Sequence, residues 1–176
     1  ANQPRKKIIY MLPVKKLSAS SIGTLDMCEM KWFLQYIVGM REPTGKAAAI
    51  GSICHYIMEC IAHSKILRQN GKSYKKDEIV GRVTPKYDLD EWTRKIYTHY
   101  SEKENHLEWT DKDYRQVLRN VEKAKIHPLY PENHSSIISP EQFFMMKIDK
   151  PWAQYSYLKG DKVDEGHVYA NGIIDL

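Results

Sequence analysis

The hydrophobic pattern of the chain changes period near residue 135, and this change constrains the fold more than any other feature. Upstream, apolar residues recur every three or four positions, as in the stripe of Ile50, Ile53 and Ile57, which predicts amphipathic helices. Downstream, three stretches are rich in β-branched and aromatic residues, which predicts strands: 136–148, 153–158 and 168–176. A helical part followed by strands indicates an α+β fold.

Four helices are predicted, at about 18–38, 47–69, 89–104 and 111–126. The first begins at a serine N-cap, Ser18 or Ser20, and stops at Gly39. Its apolar stripe contains Cys28, Trp32, Phe33 and Tyr36, and we interpret these aromatic residues as core rather than as base-stacking residues. The polar stretch 71–86 is predicted to be a loop. The strands are predicted to form an antiparallel meander, with a turn at Lys159-Gly160-Asp161.

The length of 176 residues favours one domain. We divide it into a basic arm (1–16), a helical part (17–135) and the first strands of a central sheet (136–176). The net charge of +5 and the pI of about 9.0 suit a polyanionic partner. No apolar run approaches the roughly 20 residues that span a membrane. Three cysteines favour free thiols in a reducing, cytoplasmic compartment.

Two residues are of the type that binds a metal. His55 follows Gly51-Ser-Ile-Cys, and Asp175 follows the apolar pair in Gly172-Ile-Ile. A carboxylate at a strand end is a hard oxygen ligand, and an imidazole broadens the choice of divalent cation towards manganese. Alone, each has a plainer explanation, because a helix histidine or a strand-end aspartate is more often structural. Their joint context favours the metal site.

That context resembles the RecB-type nucleases of the PD-(D/E)XK superfamily, a group that includes Cas4-like and phage exonucleases. The resemblance is dense over 17–59 and 166–176. Two motifs come from the first helical segment: a serine-rich helix start, here Leu17-Ser18-Ala-Ser20, and a cysteine followed by aromatic residues and a tyrosine, here Cys28-Glu-Met-Lys-Trp32-Phe33 and Tyr36. The third is a Gly-x-x-x-His motif, here Gly51-Ser-Ile-Cys-His55. The fourth is a Gly-Ile-Asp strand, here Gly172-Ile-Ile-Asp175.

The resemblance implies an α+β, restriction-endonuclease-like fold in which His55 and Asp175 are catalytic metal ligands for Mg²⁺ or Mn²⁺. It implies a DNA nuclease, with exonuclease as the expected mode, acting in replication, recombination or repair in a bacterial or phage-infected cell. A helicase or a recombination or replication protein would be a partner. The family's (D/E)-x-K motif follows on the next strand, so this chain alone is expected to be inactive and its sheet incomplete. Two alternatives stay open: an inactive DNA-binding or scaffolding module, and an iron–sulfur DNA-processing protein.

Several other residues carry secondary predictions. Glu59 and His63 share a helix face with His55 and could extend the metal site, although a solvated face is the simpler interpretation. Glu141 resembles a strand-start acid of the family, with a salt bridge as the simpler interpretation. Three cationic residues are candidates for phosphate contacts: Lys31, Arg41 and Lys46. Cys28 matches the first iron–sulfur ligand of cluster-bearing relatives, but a cluster is not expected.

Overall fold

A computed structural model describes residues 15–40 and 42–175, apart from the side chains of Lys159, Ile174 and Asp175. The chain divides into two compact units. The helical unit contains Pro43–Gln142 together with the last described residues. The sheet unit contains the described residues up to Glu42 together with Phe143–Ile173. The α+β class predicted from the sequence is confirmed, since helices and several small sheets are both present.

Three helices make the core of the helical unit: α3 (Lys46–Gln69), α4 (Leu89–Lys103) and α5 (Asp111–Lys125). All three follow the predicted boundaries to within a residue or two. The apolar stripe of α3 is buried as predicted, and Ile53, Ile57 and Ile61 have no exposed surface. They pack with Trp92, Ile96, Val117 and Val121 of the other two helices. Burial of these branched side chains is the main force that holds the unit together.

Local capping explains where α4 and α5 begin. The carboxylate of Asp88 accepts hydrogen bonds from the backbone N–H groups of Asp90 and Glu91. At α5, Thr110 and Asp113 form a reciprocal capping box. Such caps satisfy N–H groups that have no partner inside the helix.

The prediction of a loop over 71–86 is wrong, because this stretch holds a hairpin of β2 (Lys75–Asp77) and β3 (Gly81–Val83). The turn is stabilised by Asp77, whose carboxylate accepts from the backbone N–H groups of Ile79 and Val80. The strands are short and mostly exposed, so the sequence shows no alternation of apolar and polar residues that would predict them. Only Val83 is fully buried.

The first predicted helix is interrupted. Its residues form α1 (Ala19–Met27), α2 (Glu29–Trp32) and a π-helix (Phe33–Val38). The break lies at Cys28, whose backbone is extended with φ −163° and ψ 109°. The predicted ends are confirmed: the Ser18 hydroxyl caps α1 by accepting from the N–H of Ser21, and Gly39 ends the π-helix at φ 81°, a conformation that glycine adopts readily.

The prediction that the aromatic residues of this segment are core is wrong for Phe33 and Tyr36, which are 47% and 39% exposed. Trp32 is half-buried and donates from its indole N–H to the Ser21 hydroxyl at 2.8 Å. The extended residue and the π-helical turns rotate successive apolar positions onto different faces. The apolar residues therefore do not share one buried face, as they would on a single straight α-helix.

Five strands lie wholly or mostly in the sheet unit: β1 (Lys16–Leu17), β4 (Glu141–Lys147), β5 (Gln154–Lys159), β6 (Lys162–His167) and β7 (Tyr169–Asp175). The predicted meander is wrong. Strands β5 and β6 form their own antiparallel hairpin across Gly160, while a second sheet has the order β1-β7-β4. Strand β1 pairs with β7 in parallel and includes Lys16 of the predicted basic arm. The other described residue of that arm, Lys15, ion-pairs with Asp164; residues 1–14 lie outside the described ranges.

Among the described residues, none of the helices combines the length and apolar character that crossing a membrane would require.

Candidate metal centre

Helix α3 supplies two of the candidate ligands. His55 and Glu59 are one helical turn apart, so their side chains lie on the same face. The opposite stripe of isoleucines is buried in the core, which fixes the rotation of the helix and turns this pair outwards. The side chain of His55 is 47% exposed and that of Glu59 is 28% exposed.

Strand β4 supplies the third candidate ligand, Glu141. Glu141 is its first residue and is grouped with the helical unit. The approach to the strand is held by Gln69 near the end of α3, whose side-chain amide both donates to the carbonyl of Ile137 at 2.8 Å and accepts from its N–H at 3.0 Å. Lys65, one turn earlier, donates to the carbonyls of Pro131, Glu132 and His134. These bonds attach the segment before β4 to α3.

The three side chains converge. The Nε2 atom of His55 lies 2.5 Å from Oε1 of Glu141, and one ligand atom from each of His55, Glu59 and Glu141 lies within 4.8 Å of the others. Among the described residues this is the one group of three with such spacing. We call it the His–Glu–Glu trio. It borders a cavity of about 170 Å³ that is also lined by Met58, Ala62, Leu129, Pro131 and Pro140.

The donor chemistry of the trio fits a divalent cation. Two carboxylates supply hard oxygen ligands and partly offset a 2+ charge, and one imidazole suits manganese as well as magnesium. The contact between Nε2 of His55 and Oε1 of Glu141 is a hydrogen bond, with one hydrogen between the two atoms. A cation bound by both atoms would take the place of that hydrogen, so the hydrogen bond and the metal complex exclude each other.

A second polar group lies along α3 from the trio. Nε2 of His63 is 3.3 Å from the Glu59 carboxylate and 2.6 Å from the ammonium of Lys75 on β2. Burial and the Lys75 charge lower the pKa of His63, so its neutral ring accepts from Lys75. Nearby, the Tyr56 hydroxyl donates to Asp77 at 2.9 Å. His63 therefore neighbours Glu59 but is not in the trio.

Asp175 is the last described residue, and its backbone belongs to β7. Its side chain is outside what the structure describes. The predicted convergence of Asp175 with His55 on one cation stays a prediction.

Cys28 is exposed, and its sulfur caps α2 by accepting from the N–H of Lys31. The other two cysteines are also free: Cys54 is half-buried and Cys60 is buried. Burial raises the pKa of the Cys60 thiol to about 12, so this thiol stays protonated at neutral pH. That Cys28 binds no iron–sulfur cluster stays a prediction.

The residues predicted to contact phosphates are engaged within the chain where they are described. Lys46 forms an ion pair with Asp113 at 3.0 Å and donates to the carbonyl of Glu108. Lys31 lies 3.3 Å from Glu42, and both side chains are exposed. Arg41 lies outside the described residues. The geometry gives Lys46 a structural role, and phosphate binding by all three stays a prediction.

Sequence reasoning missed the residues that position Glu141. Gln69 and Lys65 look like ordinary polar residues near a helix end, and their partners lie more than 60 residues further along the chain. No pattern of neighbouring residues predicts hydrogen bonds between parts of the chain that are so far apart.

The fold and the trio define a class of α+β proteins with a carboxylate–imidazole site suited to a divalent cation. The sequence profile of the PD-(D/E)XK nuclease superfamily matches residues 16–176, so the chain belongs to this superfamily. Membership implies nuclease activity and the use of Mg²⁺ or Mn²⁺, as is general in the superfamily. Comparison with curated proteins gives no significant match. Comparison with solved structures likewise gives none.

Proposed function

We propose that the protein is a metal-dependent DNA nuclease that binds Mg²⁺ or Mn²⁺ at the His–Glu–Glu trio and hydrolyses phosphodiester bonds. The observation that carries the proposal is the convergence of His55, Glu59 and Glu141 within 4.8 Å in a chain of the PD-(D/E)XK superfamily. The exonuclease mode, and a role in DNA replication, recombination or repair, rest on the resemblance to RecB-type nucleases.

Each residue has a distinct part. Glu59 and Glu141 supply negative charge to a cation, and His55 supplies a neutral nitrogen once it has released its proton. Asp175 is proposed as a further ligand from its sequence motif. A bound divalent ion would polarise the phosphoryl group and make a bound water more acidic. Gln69 and Lys65 hold the segment before Glu141 so that its carboxylate stays opposite α3.

Metal binding tests the site independently of activity. Titration with Mn²⁺, followed by the loss of the free-ion paramagnetic resonance signal, should give a stoichiometric site. The variants His55→Ala, Glu59→Gln and Glu141→Gln should each weaken Mn²⁺ binding at least about 10-fold, since even outer-shell partners of metals have effects of that size. Glu102→Gln is the matched control, because Glu102 is an exposed residue of α4. Wild-type affinity in both His55→Ala and Glu141→Gln would exclude the trio as the metal site.

Activity is measured with an intact protein that contains this chain, on DNA labelled separately at the 5′ end, at the 3′ end and internally. An exonuclease releases one end label first, and chelator stops the release. Asp175→Ala should abolish cleavage without loss of the fold, as followed by circular dichroism. An intact protein that binds Mn²⁺ normally yet cleaves none of these substrates would be an inactive binding module and would contradict the hydrolytic proposal.

A further inference from the structure

A row of open cavities crosses the helical unit, beginning at the trio. The trio's cavity shares Met58 and Leu129 with a neighbour of about 450 Å³ on α5. This second cavity shares Tyr130 with a third of about 620 Å³. The third shares Lys86 and Tyr87 with a fourth of about 370 Å³ beside the β2–β3 hairpin. Each cavity therefore adjoins the next through shared lining residues, and we call the series of four cavities the groove.

We propose that this groove holds a single strand of DNA that leads away from the trio. The proposal rests on the proposed function, which makes DNA the ligand, and it adds the strand's form and its path. The groove lies wholly within residues 43–142, so the helical unit alone defines it.

Charge favours a polyanion along the three cavities beyond the trio. Six cationic side chains line these three cavities: Arg68, Arg82, Lys86, Lys95, Lys123 and Lys125. Only three carboxylates line them: Asp88, Glu91 and Glu132. Arg68, Lys95 and Lys125 are already in ion pairs. Lys86 and Lys123 are exposed, and neither has an ion-pair partner among the residues that the structure describes. Arg82 lies over the Tyr74 ring, 5.0 Å from its centroid, so Lys86 and Lys123 are the cations best placed to bind phosphates.

The aromatic residues favour unpaired bases. The Tyr87 ring stacks on Trp92 with centroids 4.4 Å apart and planes 9° apart. Trp92 is buried, whereas Tyr87 is only half-buried and lines two cavities. The Tyr87 hydroxyl donates to Glu132, which holds the ring in place. A fixed aromatic ring between cationic cavities is the arrangement on which unpaired bases stack. Paired bases are stacked inside a duplex and cannot enter such cavities.

The test is the binding of a fluorescein-labelled oligothymidylate of about 20 nucleotides to the full chain in chelator. Chelator removes cleavage and metal dependence, so failure here is distinct from failure of the metal site. The double variant Lys86→Glu/Lys123→Glu should bind about 25-fold more weakly at 0.1 M salt. Its slope of log affinity against log salt should be shallower by about 1.4, because each phosphate contact contributes about 0.7 in single strands.

The matched control is Lys72→Glu/Lys112→Glu, which reverses two exposed lysines that line none of these cavities. It should bind with a wild-type salt slope. Mn²⁺ affinity and circular dichroism of both double variants should match wild type, which shows that the fold and the trio are intact. A blunt duplex of the same length should compete at least about 10-fold less well than the single strand.

Two results would overturn the proposal. One is equal binding by the groove and control variants, and the other is competition by the duplex as effective as that by the single strand. A variant of the trio that loses Mn²⁺ but retains oligonucleotide affinity would support the groove as a separate binding element. A protein that shows no Mn²⁺ site but keeps salt-dependent binding in the groove would refute the metal site of the proposed function and leave DNA binding by the groove standing.

Discussion

Replacement of Asp113 by alanine tests how the start of α5 is fixed. Its carboxylate is 10% exposed and accepts from the N–H and hydroxyl of Thr110, both at 2.8 Å, and from Lys46 at 3.0 Å. The replacement keeps Thr110 as the N-cap but removes two hydrogen bonds to a charged carboxylate, together worth about 2.5 kcal/mol. The partly exposed ion pair adds about 0.5 kcal/mol. We expect the free energy of unfolding to fall by about 3 kcal/mol.

The assay is urea unfolding followed by far-UV circular dichroism, which reports mainly on the helices. Thermal unfolding followed by the same signal should give a Tm that is lower by about 6–12 °C, which corresponds to a loss of about 3 kcal/mol in a chain of this size. Asp111→Ala is the control, because it removes an exposed carboxylate from the same helical turn and should cost only a few tenths of a kcal/mol. Equal destabilisation by the two replacements would refute the reasoning.

The same residue predicts a pH dependence. The hydrogen bonds from Thr110, together with Lys46, hold the pKa of Asp113 below its ordinary value of 3.8. A lowered folded pKa means that the contribution is complete above pH 3.8 and is lost as the pH falls below that value. The stability difference between wild type and Asp113→Ala should therefore be constant near neutral pH and should shrink below pH 3.8. A difference that stays constant into strong acid would show that the charge of Asp113 is not involved.

Two further replacements test the core. Ile57→Ala should cost about 2–5 kcal/mol in urea unfolding because Ile57 has no exposed surface, whereas the control Ile126→Ala, at an 86% exposed residue, should cost less than about 0.5 kcal/mol. Ser64→Ala should cost about 1–3 kcal/mol, because its buried hydroxyl donates to the carbonyls of Thr84 and Pro85 after the hairpin; unchanged stability would mean that water replaces the hydroxyl.

The helices of the core could be predicted because their signals are local. The stripe of α3 repeats over 24 residues, and caps such as Thr110 mark the starts. The β2–β3 hairpin could not, because its short strands carry lysine, aspartate and arginine, and only Val83 is fully buried. The break at Cys28 was also hidden, since an extended residue inside an apolar stripe leaves the spacing of the sequence unchanged.

In the candidate site, too, the local arrangement could be predicted from the sequence but the long-range contact could not. His55 and Glu59 could be placed on one face because four residues make about one helical turn. Their meeting with Glu141 depends on the packing of α3 against the segment before β4, which no periodicity encodes. Glu141 was singled out only through the family resemblance, with a salt bridge as the simpler alternative. The structure shows that Glu141 contacts His55, and the closeness of both side chains to Glu59 adds the metal hypothesis.

The distance along the chain between His55 and Glu141 has a consequence for biosynthesis. The two residues are separated by 86 positions, and both α4 and α5 are synthesised between them. During translation, a growing chain that has released only α3 carries His55 and Glu59 but cannot hold them opposite Glu141, the third proposed ligand. Domains fold as units while the chain emerges, so the trio is assembled only after residue 141 has left the ribosome. During synthesis, the proposed cation site therefore stays incomplete until the segment before β4 can pack against α3.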